Sequence, residues 1–212
     1  KKKIDTNKEF NKKDFNKLKL EFSHDLRKIS DCTYYIICVP TPINIKKKPD
    51  LTALNQTFNT LKNIIKKNDT IILESTVYPG VTKIFGEKIQ KFTNLKINKD
   101  FFLCYSPERI NPGDQTKKLN NINKIFATET SNNKKINEIK NIYRLISKNI
   151  IFSNNIAEAE TAKVIENIQR DLNIAFYNEV LMVCDKLKLN FNEVIKLASS
   201  KWNFLKFNPG LV

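Results

Sequence analysis

The sequence predicts an α/β fold in which a parallel β-sheet is followed by a helical domain. Short apolar runs rich in β-branched residues alternate with helical patterns between residues 33 and 153, and this alternation is typical of a parallel sheet covered on both faces. After residue 153 the pattern changes to one long helix. We therefore expect one domain over residues 1–153 and the start of a second over residues 154–212.

Each element follows from a local pattern. The run from Thr33 to Val39 is apolar throughout, which is typical of a buried parallel strand, and the prolines at positions 40 and 42 end it. Leu51, Leu54 and Phe58 recur at helical spacing, with Asp50 as the expected N-cap. The expected strands cover residues 33–39, 70–73, 101–105, 124–128 and 150–152. The expected helices cover residues 51–65, 81–90, 133–147, 156–187 and 192–199.

The amino-acid composition and charge limit which classes of protein this chain can belong to. A chain of 212 residues with 41% hydrophobic residues and 14 Phe is typical of a globular protein. No apolar stretch is long enough to cross a bilayer and no secretory pattern opens the sequence, so we expect a cytoplasmic protein without a membrane contact. The net charge of +15 is compatible with nucleic-acid binding, but the lysines are spread along the chain together with abundant Asn and Ile. A basic nucleic-acid-binding module is therefore the least favoured alternative, and no nucleic-acid partner is expected.

The cysteines and the single histidine do not form a recognisable metal-binding pattern. Cys32, Cys38, Cys104 and Cys184 have no Cys-x-x-Cys spacing and lie in apolar stretches. We expect four free, buried thiols and no metal.

Three loops that follow predicted strands carry polar or rigid residues. Carboxyl ends of parallel strands share one edge of a sheet, where ligands bind, so these loops are expected on one rim. The turn from Val39 to Pro42 is either a wall against a flat cofactor ring or a simple strand end. Residues 74–76 either bind a water or substrate hydroxyl through Ser75 and Thr76, or cap the next helix. The pair Glu108 and Arg109 is either functional or a surface ion pair.

The long helix carries a polar stripe. Lys163, Asn167 and Arg170 are spaced by four and three residues and therefore share one face. An ammonium, an amide and a guanidinium can donate to an alkoxide or a phosphate. The alternative is a solvated polar face.

Together these segments resemble the UDP-glucose/GDP-mannose dehydrogenase family, the NAD-dependent nucleotide-sugar 6-dehydrogenases. The resemblance covers nearly everything from Asp31 to Val212 and keeps the family order. The motifs that carry it are CVPTP (38–42), ESTVYPG (74–80), SPERINPGD (106–114), residues 157–172 and KWNFLKFNPGLV (201–212). The resemblance implies a partial Rossmann-like sheet and a central helical domain whose long helix forms a homodimer.

The resemblance also implies a reaction, namely oxidation of the C6 alcohol of a UDP-sugar to a carboxylate with NAD⁺ used twice. Thr76 would position the water or the substrate hydroxyl, and Glu108 would act in acid/base steps. Lys163 and Asn167 would stabilise the oxyanion. The residues expected beside NAD are Val39, Pro40, Thr41, Ser75 and Thr76. The residues expected to contact substrate are Glu108, Arg109, Lys163, Asn167, Arg170, Trp202, Asn203, Phe204 and Gly210.

Three features of the family are missing from the sequence. Neither the Gly-x-Gly-x-x-Gly loop nor the Gly-Gly-His-Cys segment with the catalytic cysteine occurs in it, and the family's third domain is missing too. We therefore expect an internal, inactive fragment of a longer enzyme. The sequences of residues 107–114 and 169–171 resemble the branch of the family that acts on a UDP-N-acetylhexosamine (GlcNAc or GalNAc) more than the UDP-glucose branch. We therefore expect such a substrate, for surface polysaccharide synthesis. Oxidation of UDP-glucose and a non-catalytic dimerising remnant remain as alternatives.

Overall fold

The structure is a computed structural model that describes residues 20–110 and 121–207. The chain divides into two compact units, Lys1–Thr161 and Ala162–Val212. The first unit contains the sheet and the helices that cover it. The second contains most of the long helix and the segments that pack on it.

The first unit is built around a sheet with the strand order β1-β2-β3-β4-β5. A 3-10 turn, Leu26–Ile29, precedes it. The strands are β1 (Tyr34–Ile37), β2 (Thr70–Leu73), β3 (Phe102–Tyr105), β4 (Asn123–Ala127) and β5 (Asn149–Ser153). The helices that connect them are α1 (Thr52–Leu61), α2 (Val81–Thr93) and α3 (Asn133–Arg144).

Both faces of the sheet are covered, as the apolar runs predict. Ile71 and Leu73 of β2 belong to one core cluster, whereas Ile72 between them belongs to the other. This is the consequence of the two-residue period of a strand. The first cluster includes Phe85 of α2, and the second includes Ile139 of α3. The expected α/β fold is confirmed.

The sheet is not parallel throughout. Strands β1, β2 and β3 are parallel, but β3 and β4 pair antiparallel through Tyr105 and Ala127, after which β5 runs parallel to β4. The all-parallel expectation is therefore wrong at one junction. Antiparallel neighbours do not need a crossover helix, so β4 can return directly beside the chain that follows β3.

Strand β1 is also less buried than its apolar sequence predicts. Tyr35 and Ile37 are buried, but Ile36 between them is 47% exposed. Among the described strands β1 lies at an edge of the sheet, so its second face has fewer neighbours. Cys38, which follows β1, is exposed, as is Cys32. The expectation of buried thiols is thus wrong for these two and holds for Cys104 and Cys184, and all four thiols are free.

Helix α2 lies very close to β3 because Gly86 has no side chain. A Cβ atom at Gly86 would lie 2.6 Å from Cδ2 of Leu103, which is far inside van der Waals contact. The predicted helix at residues 51–65 ends at Leu61, and its N-cap is Leu51, although the Asp50 carboxylate still accepts from the Thr52 N–H.

The second unit contains residues 162–187 of α4 (Ile156–Leu187) together with α5 (Phe191–Ala198). Asn190 caps α5 by accepting from the N–H groups of Asn192 and Glu193. The buried Tyr177 ring contacts Phe191 and Phe207 edge to face. No helix in the described part of the chain combines the length and the apolarity that a membrane crossing requires.

Candidate active site

The carboxyl ends of β1 and β2 form a rim whose two loops are tied together by hydroxyl groups. The Ser75 hydroxyl donates to the Val39 carbonyl at 2.6 Å, and the Thr41 hydroxyl donates to the Thr76 carbonyl at 2.5 Å. Ser75 is buried and Thr76 is half-buried, whereas Pro40 is exposed. The structure therefore brings together the residues expected beside NAD, and it uses two of their hydroxyls to fix the loops.

A buried cation lies next to this rim. Lys124 at the start of β4 has a side chain that is only 1% exposed, and its Nζ lies 3.2 Å from Oε1 of Glu74 and 3.7 Å from Oε2 of Glu108. It also donates to the Pro107 carbonyl at 3.3 Å. Removing an ammonium from water costs on the order of several kcal/mol unless partners compensate. The two carboxylates and the carbonyl provide that compensation.

Glu74 is the centre of a further group of contacts. The Tyr143 hydroxyl of α3 donates to Oε1 of Glu74 at 2.7 Å, and the Cys38 thiol lies 3.8 Å from Oε2. Burial raises the pKa of the Tyr143 hydroxyl far above its ordinary value, and the Glu74 carboxylate raises it further. Although Cys38 as a residue is exposed, surrounding protein desolvates its sulfur, and with the Glu74 charge this raises the pKa of the thiol to about 11. Both groups therefore stay neutral near pH 7.

Glu108 is held from two sides. Its Oε1 accepts from the backbone N–H groups of Arg109, at 2.6 Å, and Ile110, at 2.7 Å, while its Oε2 faces Lys124. The side chain is nevertheless 46% exposed, so the carboxylate is oriented and still accessible. The Arg109 guanidinium donates to the Asn123 carbonyl at 3.1 Å, beside a shallow cleft that Asn121 also lines.

The loop that carries Thr76 ends at Gly80, beside the buried carboxylate of Glu160 near the start of α4. Its Oε2 accepts from the Gly80 N–H at 2.6 Å, and its Oε1 accepts from the N–H and the hydroxyl of Thr82 at 2.9 and 2.6 Å. Gly80 is the N-cap of α2 with φ of 96°, and it offers no side chain for capping. The helix-capping alternative for residues 74–76 is therefore wrong, because Glu160 caps α2.

The polar stripe forms on α4 in the second unit. The Arg170 guanidinium donates to Oδ1 of Asn167 at 2.9 Å, which is the contact that their spacing predicts. Lys163 Nζ lies 4.0 Å from Oε2 of Glu166, and the Lys163 side chain is 12% exposed. Trp202 is 91% exposed, Asn203 is exposed and Phe204 is half-buried. Gly210 lies outside the described residues.

Lys124 and Tyr143, which both contact Glu74, were not predicted from the sequence. Lys124 had a detectable signal, since a lysine opens an otherwise apolar strand. Tyr143 had none, because a tyrosine on an amphipathic helix is ordinary. Among the described residues, no group of three or more His, Cys, Asp or Glu side chains is placed to hold a metal ion.

Family models match nearly the whole chain. Residues 5–147 match the NAD binding domain of the UDP-glucose/GDP-mannose dehydrogenase family, and residues 157–212 match the central domain of that family. The resemblance drawn from the motifs is confirmed, and so is the assignment of NAD as the cofactor.

Individual relatives agree with this match. The chain is 44% identical over 195 residues to UDP-N-acetyl-D-glucosamine 6-dehydrogenase of Salmonella typhi, and the aligned residues cover 91% of this chain and 45% of that protein. It is 41% identical over 202 residues to protein CapL of Staphylococcus aureus, covering 93% of this chain and 47% of that protein. The solved structure of a UDP-D-ManNAc dehydrogenase from Pyrococcus horikoshii superposes with a TM-score of 0.80 at 30% identity, covering 89% of this chain and 44% of that one. The chain thus spans about half the length of these relatives.

Proposed function

This chain belongs to the UDP-glucose/GDP-mannose dehydrogenase family, and from that premise we propose that it takes part in the NAD-dependent oxidation of the C6 alcohol of a UDP-sugar to a carboxylate. The proposed substrate is a UDP-N-acetylhexosamine, and the product would serve surface polysaccharide synthesis. The relative at 44% identity is a UDP-N-acetyl-D-glucosamine 6-dehydrogenase, which supports an N-acetylated sugar over UDP-glucose. The boundary proposed between the NAD-binding and central domains is at residues 153/154, where β5 ends and α4 is about to begin.

The observation that carries this proposal is the oriented Glu108 carboxylate. Two backbone N–H groups and Lys124 hold it at the end of β3, yet nearly half of the side chain reaches solvent. A general acid or base must be fixed in direction and still reach its substrate. Glu108 meets both requirements, and we assign to it the proton transfers during oxidation and hydrolysis.

The rim formed by the first two loops fits NAD. Ligands of parallel sheets bind at the carboxyl ends of the strands, and here the rim combines the exposed Pro40 with the half-buried Val39, Thr41 and Thr76. Because the hydroxyls of Ser75 and Thr41 are used within the rim, its surface is preformed. When bound, NAD⁺ supplies the hydride acceptor. Thr76 is proposed to position the attacking water or the substrate hydroxyl.

The second unit is proposed to supply the groups that face developing charge. Lys163 and Asn167 would donate to the oxyanion, and Arg170, already bonded to Asn167, would contact substrate together with Arg109. Trp202, Asn203, Phe204 and Gly210 would cover the nucleotide-sugar. The high exposure of Trp202 supports this role, because an exposed indole is a ready stacking surface.

A homodimer through α4 is also proposed. The exposed apolar residues of this helix include a stripe at helical spacing, opposite the face that bears Lys163, Asn167 and Arg170. The stripe consists of Ile165, Ile168, Leu172 and Phe176, each at least 51% exposed. Sedimentation should show that Ile168→Glu converts a dimer to a monomer, whereas Asn178→Glu outside the stripe does not. A dimer that withstands Ile168→Glu contradicts this interface.

The activity is tested with the protein expressed from its own gene. Purified protein is mixed with NAD⁺ and UDP-N-acetylglucosamine, UDP-N-acetylgalactosamine or UDP-glucose, and NADH is followed by absorbance. We expect turnover with an N-acetylated sugar, and a loss of roughly 10²- to 10⁴-fold in kcat for Glu108→Gln and for Lys163→Ala. Lys196→Ala is the matched control, because Lys196 is an exposed lysine paired with Glu193 on α5.

The outcomes separate the alternatives. Faster turnover with UDP-glucose would replace the proposed substrate. No turnover with any UDP-sugar favours the non-catalytic remnant, and strongly salt-dependent binding to DNA in the same preparation favours the nucleic-acid alternative. Full activity of Glu108→Gln removes Glu108 from the mechanism.

A further inference from the structure

Lys124 links two carboxylates that come from different strand ends. Glu74 follows β2 and Glu108 lies beyond the end of β3, and the Lys124 ammonium contacts both. Its side chain is 1% exposed, so the lysine cannot turn to solvent without losing its partners. The third contact, to the Pro107 carbonyl, lies next to Glu108 in the chain.

The antiparallel pairing of β3 and β4 produces this arrangement. Tyr105 pairs with Ala127, and continuing that register along both segments places Glu108 opposite Lys124. The Ser106 hydroxyl donates to the Ile125 carbonyl at 2.6 Å, which fixes the intervening chain. The position of the ammonium relative to the Glu108 carboxylate is therefore set by the backbone of the sheet.

The Glu74 side of the link is fixed as well. Tyr143 of α3 donates to the same Glu74 oxygen that contacts Lys124, and the Tyr143 ring lies 5.5 Å from the ammonium. Glu74 immediately precedes Ser75 and Thr76, the residues of the rim. One buried cation thus joins the rim loop to the loop that carries Glu108.

We propose that Lys124 is a positioning residue that holds the Glu108 carboxylate, and through Glu74 the loop of Thr76, in the orientation required for proton transfer. This inference rests on the proposed function. Lys124 itself does not contact the reacting atoms. Its loss leaves two carboxylates of like charge without the cation that both contact, so Glu108 turns away.

The test compares Lys124→Met with Lys135→Met in the protein expressed from its own gene. Lys135 of α3 is a matched control, because it is also largely buried and its Nζ lies 2.8 Å from a carboxylate oxygen of Glu138. Its ammonium lies over the rings of Tyr34 and Phe102. These two residues begin β1 and β3, so Lys135 is at the end of the sheet opposite to the rim. Turnover of UDP-N-acetylglucosamine with NAD⁺ is measured across pH. We expect Lys124→Met to lower kcat at least tenfold with KM changed less than threefold, and to alter the dependence of kcat on pH, because a misdirected Glu108 no longer carries the proton transfer. Lys124→Arg should restore part of kcat, and Lys135→Met should keep kcat within about twofold.

The proposal is overturned if Lys124→Met keeps the kcat and pH profile of the parent. It is also overturned if Lys124→Met and Lys135→Met lose activity equally with unchanged pH profiles, since that result indicates only general destabilisation. A crystal structure of Lys124→Met provides a readout that does not depend on activity. A Glu108 side chain that keeps its orientation there contradicts the proposal, whereas absence of turnover in the parent protein contradicts the proposed function instead.

Discussion

Replacing Glu160 with alanine should destabilise the start of α2 strongly. Glu160 is fully buried and accepts three hydrogen bonds, from the N–H of Gly80 and from the N–H and hydroxyl of Thr82. These two N–H groups are among the donors that a helix leaves unpaired in its first turn. Because Gly80 cannot cap the helix itself, no local side chain replaces the lost carboxylate.

The size of the effect follows from these contacts. A hydrogen bond to a charged group contributes about 1.5–3 kcal/mol. We use the lower end of this range, because water can enter the space that the side chain leaves. Three such bonds then give a loss of about 4–5 kcal/mol in unfolding free energy for Glu160→Ala. Thr82→Val removes only the hydroxyl bond while keeping the shape, so we expect a loss of about 1–2 kcal/mol.

Urea unfolding followed by far-UV circular dichroism measures both losses, and the double variant completes a cycle. The coupling free energy between Glu160 and Thr82 should be about 1–2 kcal/mol, because the variants share one bond. Asn132→Ala, which removes an exposed cap from α3, is the control and should cost about 1 kcal/mol. A loss below about 1 kcal/mol for Glu160→Ala would refute the reasoning, because the carboxylate would then contribute no more than an ordinary surface cap.

Three further predictions concern the sheet and its rim. At pH 8, iodoacetamide should modify Cys38 roughly a hundredfold more slowly than a thiol with the ordinary pKa of 9.0, because the Cys38 pKa of about 11 leaves little thiolate. Glu74→Gln should accelerate the modification, because it removes the carboxylate charge beside the thiol, and peptide mass mapping measures both rates. Gly86→Ala should destabilise the protein by about 1–2 kcal/mol despite the better helix propensity of alanine, because its Cβ would overlap Leu103; thermal unfolding of Gly86→Ala combined with Leu103→Ala should reveal a loss smaller than the sum. Ser75→Ala should cost about 1 kcal/mol in unfolding free energy and raise the Kd for NAD in calorimetry, because the Val39 carbonyl loses its donor; an unchanged Kd means that this hydroxyl does not shape the rim.

Local sequence was sufficient to predict the strands and helices and the loops that form the rim after β1 and β2. The three apolar residues of β2, Ile71, Ile72 and Leu73, alternate between two apolar clusters, and a short apolar run rich in β-branched residues between turns predicts such a strand. The long helix begins at Ile156 and ends at Leu187, as predicted, because a continuous helical pattern without glycine or proline specifies it. On its surface Asn167 and Arg170 meet, since positions three apart on a helix are neighbours in any fold.

Only the tertiary structure decided which distant side chains meet. The contact of Lys124 with Glu108 depends on β4 running antiparallel to β3 in the register of Tyr105 and Ala127, and a strand's direction and register are properties of the whole sheet. The capping of α2 by Glu160 likewise joins residues that lie far apart in the chain. Sequence periodicity specifies which face of an element is apolar, whereas the partner of a buried charge is set by long-range packing, which periodicity does not encode.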